Sequence, residues 1–242
     1  MTFYHLFQII NHNFPPYFYD VCILIMKKLQ KEIFNIRVDF DQSSFDEKQV
    51  KKDPFNQFNV WMQDALNAKV NEPTAMTLST ADKKGKVDSR IVLLRDLDKK
   101  GFNFFTNYKS AKAREMKENK KVALNFFWPE LQRQVRIRGV IEKLPEKNSD
   151  AYFNSRPRES QIGAWTSHQS EVLSSRKELE DRFAELTAEF DGQNVPRPKH
   201  WGGYRVKPLE IEFWQGRPSR LHDRLLFIKS ASGKWKLSRL NP

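Results

Sequence analysis

The sequence predicts a mainly β protein with flanking α-helices, whose antiparallel strands close into a barrel. Short strand patterns between residues 75 and 144 are separated by tight turns at Lys84-Gly85 and Lys99-Lys100-Gly101, and such turns join antiparallel neighbours. Helical patterns precede and follow these strands. The 242 residues are 39% hydrophobic and include 19 Phe. This is enough for one packed core, so we expect the helices to cover the barrel rather than form a second domain.

The formal net charge of +12 indicates an anionic partner. Acidic residues are interspersed with the basic ones, so the excess is diffuse and fits phosphorylated metabolites as well as nucleic acid. Cys22 is the only cysteine, which excludes an internal disulfide and a cysteine-based metal cluster and favours a reducing, cytoplasmic location. The five histidines lack ligand-like spacing, so no metal site is predicted.

The first 25 residues differ from the rest of the chain. They are rich in Phe and Tyr, and their apolar run at residues 21–25 is too short for a membrane span and lacks the basic leader of a signal peptide. Met26-Lys27-Lys28-Leu29 would make an ordinary N-terminus. We therefore interpret residues 1–25 as a disordered leader or a mis-assigned start, residues 26–52 as an N-terminal segment and residues 53–242 as the main domain.

The main domain begins with a predicted helix from Asp53 to about residue 69. Asp53 suits the N-cap, Pro54 suits the first helical position, and apolar residues follow at helical spacing. A later short helix is predicted at 111–119, with Ser110 as its cap and Lys112 in its first turn. Its start is either a phosphate-binding site or that of an ordinary capped surface helix. Strands are predicted at residues 75–80, 87–95, 102–106, 122–128 and 132–144, the first two as a hairpin.

Helical patterns return between residues 147 and 190. Tyr152, Arg156 and Ser160 recur at every fourth position, which would align them on one helical face if Pro157 did not break the helix. An ordinary polar surface is the alternative interpretation. After Gly202-Gly203-Tyr204 the chain returns to strands.

The stretch from residue 211 to 224 combines a strand pattern, a turn at Gly216-Arg217-Pro218 and the start of a second strand. Arg220, His222 and Arg224 follow at a spacing of two. If this segment is extended, their side chains share one face, which suits a small anionic ligand with Trp214 as an apolar wall. A solvated basic hairpin edge fits the same pattern equally well.

Several motifs together resemble the pyridoxine/pyridoxamine 5'-phosphate oxidases. They occur in the family's order from about residue 37 to the C-terminal Arg239-Leu240-Asn241-Pro242. The motifs are Arg90-Ile91-Val92-Leu93-Leu94-Arg95, Phe105-Thr106-Asn107, Ser155-Arg156-Pro157-Arg158-Glu159-Ser160-Gln161-Ile162-Gly163-Ala164-Trp165, Trp201-Gly202-Gly203, Glu212-Phe213-Trp214-Gln215-Gly216 and Arg220-Leu221-His222-Asp223-Arg224.

This resemblance implies an antiparallel split β-barrel of the FMN-binding type, acting as a homodimer with FMN at the subunit interface. It implies oxidation of pyridoxamine and pyridoxine 5'-phosphates to pyridoxal 5'-phosphate, with hydride passing to FMN and dioxygen reoxidising the flavin to give hydrogen peroxide. The flavin would supply the redox chemistry and the protein the orientation and electrostatics. The N-terminal segment would be a lid over the substrate.

The resemblance also assigns FMN contacts by position in the matching motifs. Arginine, lysine and backbone amides can cradle the FMN phosphate, glutamines can satisfy polar ring edges, and Trp214 can supply apolar surface. The expected FMN contacts are Arg90, Ile91, Val92, Leu93, Arg95, Phe105, Thr106, Ser110, Lys112, Gln134, Gln169, Ser170, Trp214 and Arg224.

The substrate contacts follow in the same way. Arg220 and His222 are expected to be catalytic, by positioning the substrate and stabilising charge beside the reacting carbon. The phosphate group of the substrate is expected at Arg95, Tyr152, Arg156 and Ser160. The full set of expected substrate contacts is Arg37, Arg95, Tyr152, Arg156, Ser160, Arg220, Leu221 and His222.

The sequence departs from the family's pattern at three positions. Arg95 stands where the family often has Lys, which keeps the charge but changes the geometry of the contact. Ala111 stands where Arg is common, which removes one phosphate contact. Phe40 replaces a Tyr in the lid and so removes its hydroxyl group.

Two alternatives to the oxidase stay open at this point. A related split-barrel flavoprotein could act on another substrate, since fold alone does not fix chemistry. A basic nucleic-acid-binding module would bind with steep salt dependence, but the sequence carries no recognised nucleic-acid motif. We expect small phosphorylated vitamin B6 substrates, and neither a nucleic-acid nor a membrane partner.

Overall fold

The structure, a computed structural model, describes residues 16–36 and 39–242, with side chains from residue 23 onwards. The chain divides into two compact units, residues 1–39 and 40–242. In the first unit, helix α1 (Pro16–Asn35) runs through residue 25. The interpretation of residues 1–25 as a leader outside the main domain stays a prediction. A native start at Met26 stays a prediction. No helix in the described ranges combines the length and apolarity that a membrane span requires.

The second unit is built on one nine-stranded sheet in which every pairing is antiparallel. The strands are β1 (Ala75–Ala81), β2 (Val87–Leu93), β3 (Asp96–Asp98), β4 (Gly101–Asn107), β5 (Lys121–Trp128), β6 (Arg133–Lys143), β7 (Trp201–Gln215), β8 (Asp223–Lys229) and β9 (Trp235–Arg239). Their order across the sheet is β2-β1-β5-β6-β7-β4-β3, with β8 on β7 and β9 on β8. The predicted antiparallel β fold is confirmed.

Strand β7 has two partners in succession along one edge. Its first half pairs with β4 and its second half with β8, while β6 pairs along the other edge. The β6 register shifts between Arg138 and Gly139, and a Cβ on Gly139 would lie 2.2 Å from the Lys207 carbonyl oxygen. The absent side chain therefore lets the two backbones approach where the sheet bends.

Helix α2 (Pro54–Asn67) fills the inside of the curled sheet. Asp53 caps it, because its carboxylate accepts hydrogen bonds from the backbone N–H groups of Phe55 at 2.9 Å and Asn56 at 3.0 Å. The fully buried Phe58 ring lies 5.0 Å, between centroids, from both Phe102 and Phe126. The helix predicted from Asp53 is confirmed, although it ends two residues earlier than expected.

Four further helices pack around the sheet: α3 (Ala111–Glu118), α4 (Glu146–Asn154), α5 (Arg158–Thr166) and α6 (Arg176–Glu189). A second apolar cluster joins Phe153, Ile162 and Phe190 to Trp201 at the start of β7. Pro157 is the N-cap of α5 and separates it from α4, as its missing N–H predicts. The three-residue β3 was not predicted, since so short a strand shows no alternation.

Replacing Asp53 by Ala should destabilise the second unit by about 1 kcal/mol, because two N–H groups of α2 lose their acceptor. Thermal unfolding should show a midpoint lower by roughly 2–4 °C. The matched control is Asp41→Ala, at an exposed position. An equal loss in the control would show that the cap is not the cause.

Candidate active site

A cavity of about 660 Å³ opens between β2, β4, helices α3 to α5 and the start of β7. Its lining includes expected contacts of both FMN and the substrate phosphate, but not Arg90, Ser110 or Ser170. Those of its lining residues that the sequence singled out are Ile91, Val92, Leu93, Arg95, Phe105, Thr106, Lys112, Tyr152, Arg156, Ser160 and Gln169.

Lys112 projects into one end of this cavity from the first turn of α3. Its side chain is 9% exposed, and its Nζ donates to Gln169 Oε1 at 3.0 Å and to Thr106 Oγ1 at 3.4 Å. Burial lowers the pKa of Lys112, and the positive charge of Arg90 lowers it further. Within the described part of the chain, the hydrogen bonds of this ammonium group go to neutral oxygens, so a bound anion would be favourable beside it.

The start of α3 lies beside this lysine. The backbone N–H of Ala111 donates to Ser170 Oγ at 3.1 Å, so Ser170 occupies the helix N-terminus. Ser110 is the N-cap residue, but its hydroxyl donates to the Asn107 carbonyl at 2.8 Å and makes no side-chain cap. Ser110 therefore occupies the predicted N-cap position, but its hydroxyl closes the preceding turn instead of bonding to the helix.

Aromatic rings line the other end of the cavity. Phe105 stacks on Tyr152, with centroids 4.0 Å apart, and on Trp201 at 5.6 Å. The Arg156 guanidinium carbon lies 4.6 Å from the Trp201 centroid. Gly203 makes this stack fit, since a Cβ there would lie 2.7 Å from Phe105 Cε1.

Arg156 is incompletely paired within this wall. Its Nη1 is buried and has no hydrogen-bond partner in the structure. Desolvation lowers the pKa of Arg156, and the nearby charge of Arg95 acts in the same direction. Because a buried donor without an acceptor is costly, an anion at this end would be stabilising.

Arg90 does not line the cavity. Its Nη2 pairs with Asp88 at 2.6 Å and with Glu115 at 3.1 Å, and its Nη1 donates to Thr80. It therefore lies in a charge network beside Lys112, and the structure does not bring it to the expected FMN phosphate position. Arg37, an expected substrate contact, lies outside the described residues.

A second cluster forms on the outer face of β6, β7 and β8. Gln134, Trp214 and Arg224 are direct cross-strand neighbours, so the register brings three expected FMN contacts into one row. The His222 ring lies 4.5 Å from Trp214, between centroids, and 5.9 Å from Phe40. Arg224 is already paired, with its Nε 2.8 Å from Glu212 Oε1, and this bond raises its pKa.

The turn before β8 is not extended. Residues 218–220 form one 3₁₀ turn, and Ser219 and Arg220 have φ of +56° and +61°. The expectation that Arg220, His222 and Arg224 share one face of an extended strand is therefore wrong, because Pro218 starts a turn that β8 follows only from Asp223. Arg220 and Leu221 are exposed on this turn.

The turn fixes the hydrogen bonding of His222. Its Nδ1 accepts a hydrogen bond from the backbone N–H of Arg217 at 3.1 Å, so the neutral ring carries its proton on Nε2. Burial lowers the pKa of His222, and the charges of Arg220 and Arg224 lower it further. The neutral form of the imidazole is thus favoured, and in this form Nε2 can donate.

The two clusters lie at opposite ends of β7. Phe105 in the cavity is paired with Gly203, whereas Trp214 lies eleven residues further along the same strand. At the rise of an extended strand this separation along β7 is roughly 36 Å. One chain therefore does not bring all the predicted site residues into one place.

Sequence reasoning assigned no role to Trp201, which lines the cavity and contacts both Phe105 and Arg156. The Trp201-Gly202-Gly203 motif was the available signal. It did not show that the glycines make room for an aromatic stack, because that contact joins β4 to β7.

Comparison with known proteins decides the family. Residues 62–189 match the family described as Pyridoxamine 5'-phosphate oxidase, and residues 201–242 match the Pyridoxine 5'-phosphate oxidase C-terminal dimerisation region. The pyridoxine/pyridoxamine 5'-phosphate oxidase of Nostoc punctiforme is 50% identical over 214 residues, which cover 88% of this chain and 100% of that protein. The protein of the same name from Burkholderia thailandensis is 54% identical over 211 residues, covering 86% and 98%.

The chain belongs to the pyridoxamine 5'-phosphate oxidase family. Among solved structures, PhzG from Burkholderia lata in complex with tetrahydrophenazine-1-carboxylic acid is 32% identical, with a TM-score of 0.79 over 84% of this chain and 99% of that chain. A pyridoxamine 5'-phosphate oxidase-related, FMN binding protein from Nostoc punctiforme has a TM-score of 0.63 at 13% identity, covering 80% of this chain and 100% of that chain, a likeness of fold alone. The split β-barrel expected for this family is confirmed. The family's C-terminal dimerisation region includes Trp214, His222 and Arg224.

The pKa of the His222 imidazole should lie below its ordinary value of 6.5 when followed by NMR against pH. With a depressed pKa, this histidine stabilises the fold above the ordinary value, and the contribution is lost as the pH falls through the folded-state pKa. Arg220→Ala should raise the pKa, since one nearby positive charge is removed. Arg176→Ala on α6 is the control, and an equal rise in that variant would contradict the assigned cause.

Proposed function

We propose that this protein oxidises pyridoxamine 5'-phosphate and pyridoxine 5'-phosphate to pyridoxal 5'-phosphate. FMN is the cofactor and dioxygen the final oxidant, with release of hydrogen peroxide and, from the amine, ammonia. The main support for this proposal is the cavity, where Lys112, Arg95 and Arg156 lie beside a wall of stacked aromatic rings. In the described structure, Nη1 of Arg156 is buried there without a hydrogen-bond partner. Relatives with the oxidase name at 50% and 54% identity support the same reaction.

The donors of the cavity fit FMN. Lys112, Thr106 and Gln169 supply a buried polar end, and Ser170 with the Ala111 N–H lies at the adjoining helix N-terminus. Residues 91–93 form a backbone and apolar edge of the same cavity. When bound, FMN would accept the hydride equivalent from the substrate.

The opposite end of the cavity fits the phosphate of the substrate. Arg95 and Arg156 supply two positive charges, and Tyr152 and Ser160 supply hydroxyl groups. The orphaned Nη1 of Arg156 would gain an acceptor there. These four side chains would bind the phosphate group, which is remote from the reacting carbon of the substrate. The binding energy gained there would help to orient that carbon for reaction.

A homodimer would complete the site. The second cluster lies on an outer face within the family's dimerisation region, and it is roughly 36 Å along β7 from the cavity of its own chain. In a dimer with twofold symmetry, the cluster of one protomer would contact the cavity of its partner. Gln134 and Trp214 would then flank the flavin, and Arg220 and His222 the substrate.

His222 and Arg220 would act on the reacting end of the substrate. The neutral imidazole donates from Nε2, because the Arg217 N–H occupies Nδ1. It would therefore orient a polar substituent of the pyridine ring rather than remove a proton from it in this tautomer. The exposed cation of Arg220 would stabilise negative charge that develops on the ring or the flavin.

A second candidate function follows from PhzG, whose structure contains tetrahydrophenazine-1-carboxylic acid. A protein of that kind would oxidise a reduced tricyclic carboxylic acid on the same barrel. The two candidate substrates differ in their anionic group, which is a phosphate ester in one and a carboxylate in the other. The end of the cavity that holds Arg95 and Arg156 suits the dianionic phosphate ester.

Purified protein should be yellow, release FMN on denaturation and form hydrogen peroxide with pyridoxamine 5'-phosphate. Non-phosphorylated pyridoxamine is the matched control, and it should react at least about 100-fold less efficiently because the phosphate contacts are lost. Turnover of tetrahydrophenazine-1-carboxylic acid in preference to both would favour the second candidate. Protein that stays inactive after reconstitution with FMN would contradict both.

Mixing two inactive variants tests whether the site is shared between protomers. Arg156→Ala removes a cavity residue and Arg220→Ala a residue of the second cluster, so a mixed dimer holds one intact site. Random mixing should restore about a quarter of the wild-type activity. Arg156→Ala mixed with Ser160→Ala is the control and should restore none. Absence of recovery in the first mixture would show that each site is built from one chain.

A further inference from the structure

The turn that carries His222 needs support from its surroundings. We call residues 216–223 the histidine turn. Ser219 and Arg220 lie one after the other in the left-handed region, with φ of +56° and +61°. Non-glycine residues keep such angles only where neighbouring contacts hold them.

A cluster of three charged side chains holds the end of this turn. We call Glu47, Asp223 and Arg239 the clamp. Arg239 makes a two-pronged bond to Glu47, with Nε and Nη2 each 2.8 Å from one carboxylate oxygen. Its Nη1 donates to Asp223 Oδ1 at 2.8 Å. Asp223 directly follows His222, and its side chain is only 17% exposed.

The clamp also fastens a second segment, residues 40–47, which we call the strap. The backbone N–H of Phe45 donates to Asp223 Oδ2 at 3.1 Å. Arg217, at the start of the histidine turn, donates from Nη1 to the Ser43 carbonyl at 3.1 Å, and its Nε lies 3.5 Å from Asp223. Strap and turn are thus joined at both ends of the turn.

The fastened strap places a ring against the histidine. Phe40 lies 5.9 Å from His222 and 5.7 Å from Trp214, between centroids. Gly216 makes room for it, since a Cβ there would lie 2.7 Å from Phe40 Cβ. The three rings leave the Nδ1 edge of His222 facing the Arg217 N–H.

We propose that the clamp is a positioning device for the reaction, which fixes the orientation and the tautomer of His222 by locking the strap onto the histidine turn. This inference rests on the proposed function for its kinetic consequence, but not for its structural one. Arg239 and Glu47 do not contact the His222 ring, so they act through Asp223, Arg217 and Phe40.

The geometry distinguishes the clamp from an ordinary surface ion pair. A two-pronged arginine–carboxylate bond fixes direction as well as distance. The same guanidinium group also bonds the carboxylate that receives the Phe45 N–H. In accord with this, Arg239 lowers the pKa of Glu47 to about 2. Removing Arg239 would leave Asp223 with Arg217 as its remaining cation, at 3.5 Å.

Arg239→Met tests the proposal in the FMN-loaded, full-length protein. The matched control is Arg176→Met, which removes the exposed pair with Glu180 on α6. In Arg239→Met we expect kcat with pyridoxamine 5'-phosphate to fall about tenfold, as for a slightly misplaced group. FMN retention should be unchanged. The control should keep the wild-type kcat.

An NMR measurement tests the effect of the clamp on the tautomer of His222 and does not depend on enzyme turnover. In the wild type, the ¹⁵N shifts of His222 should show a proton on Nε2 and a hydrogen-bonded Nδ1. In Arg239→Met this signature should be replaced by an average of the two tautomers, and the pKa of His222 should rise because the ring is less desolvated. The charges that act on the ring from Arg220, Asp223 and Arg224 are unchanged by the substitution.

Two further variants make every outcome decisive. Arg239→Lys keeps the positive charge but cannot make the two-pronged bond to Glu47. Relative to Arg239→Met, it should recover part of kcat and part of the ¹⁵N signal of a proton on Nε2 of His222. Glu47→Gln, at an exposed position, replaces Arg239→Met if the latter does not fold, and should give a smaller change in the same direction. An unchanged His222 signature in the folded variants would overturn the proposal, even if their melting temperature falls. A wild type without oxidase activity would refute the proposed function, while the NMR comparison would still decide the clamp.

Discussion

The backbone pairing of β7 is the constraint on which the rest of the structure depends. This strand bonds to β6 along one edge, and to β4 and then β8 along the other. Main-chain hydrogen bonds fix the register of all four strands. They therefore fix Phe105 beside Gly203 in the cavity and Trp214 between Gln134 and Arg224 in the second cluster.

The cavity and the second cluster differ in whether their cationic side chains have acidic partners. In the cavity, Lys112 donates to neutral oxygens, and Nη1 of Arg156 has no hydrogen-bond partner among the residues that the structure describes. In the second cluster Arg224 is bonded to Glu212, and in the neighbouring clamp Arg239 is bonded to Glu47 and Asp223. Unpaired buried cations favour an anionic ligand, whereas paired cations mainly fix geometry. The cavity thus favours an anionic ligand, whereas the paired Arg224 and Arg239 hold the groups around His222 in place.

Much of the fold could be predicted from the sequence because it rests on local signals. Asp53 and Pro54 mark the start of α2, Pro157 marks the break before α5, and alternation marks the strands. Local signals failed where conformation depends on distant contacts. Ser219 and Arg220 adopt left-handed backbone angles although neither is a glycine, so the sequence gives no sign of that conformation. The Ser110 hydroxyl donates to the preceding turn rather than capping its helix.

The sequence by itself determined the family, the antiparallel class and the residue types needed for an anionic ligand, since motifs and periodicity are local properties of the chain. Only the tertiary structure decided which of those residues meet. It gathered Lys112, Tyr152 and Arg156 around one cavity and placed Trp214 and His222 at the far end of β7. It also engaged Arg90 with acidic neighbours. These outcomes depend on strand register and on packing between segments far apart in sequence, which no short motif encodes.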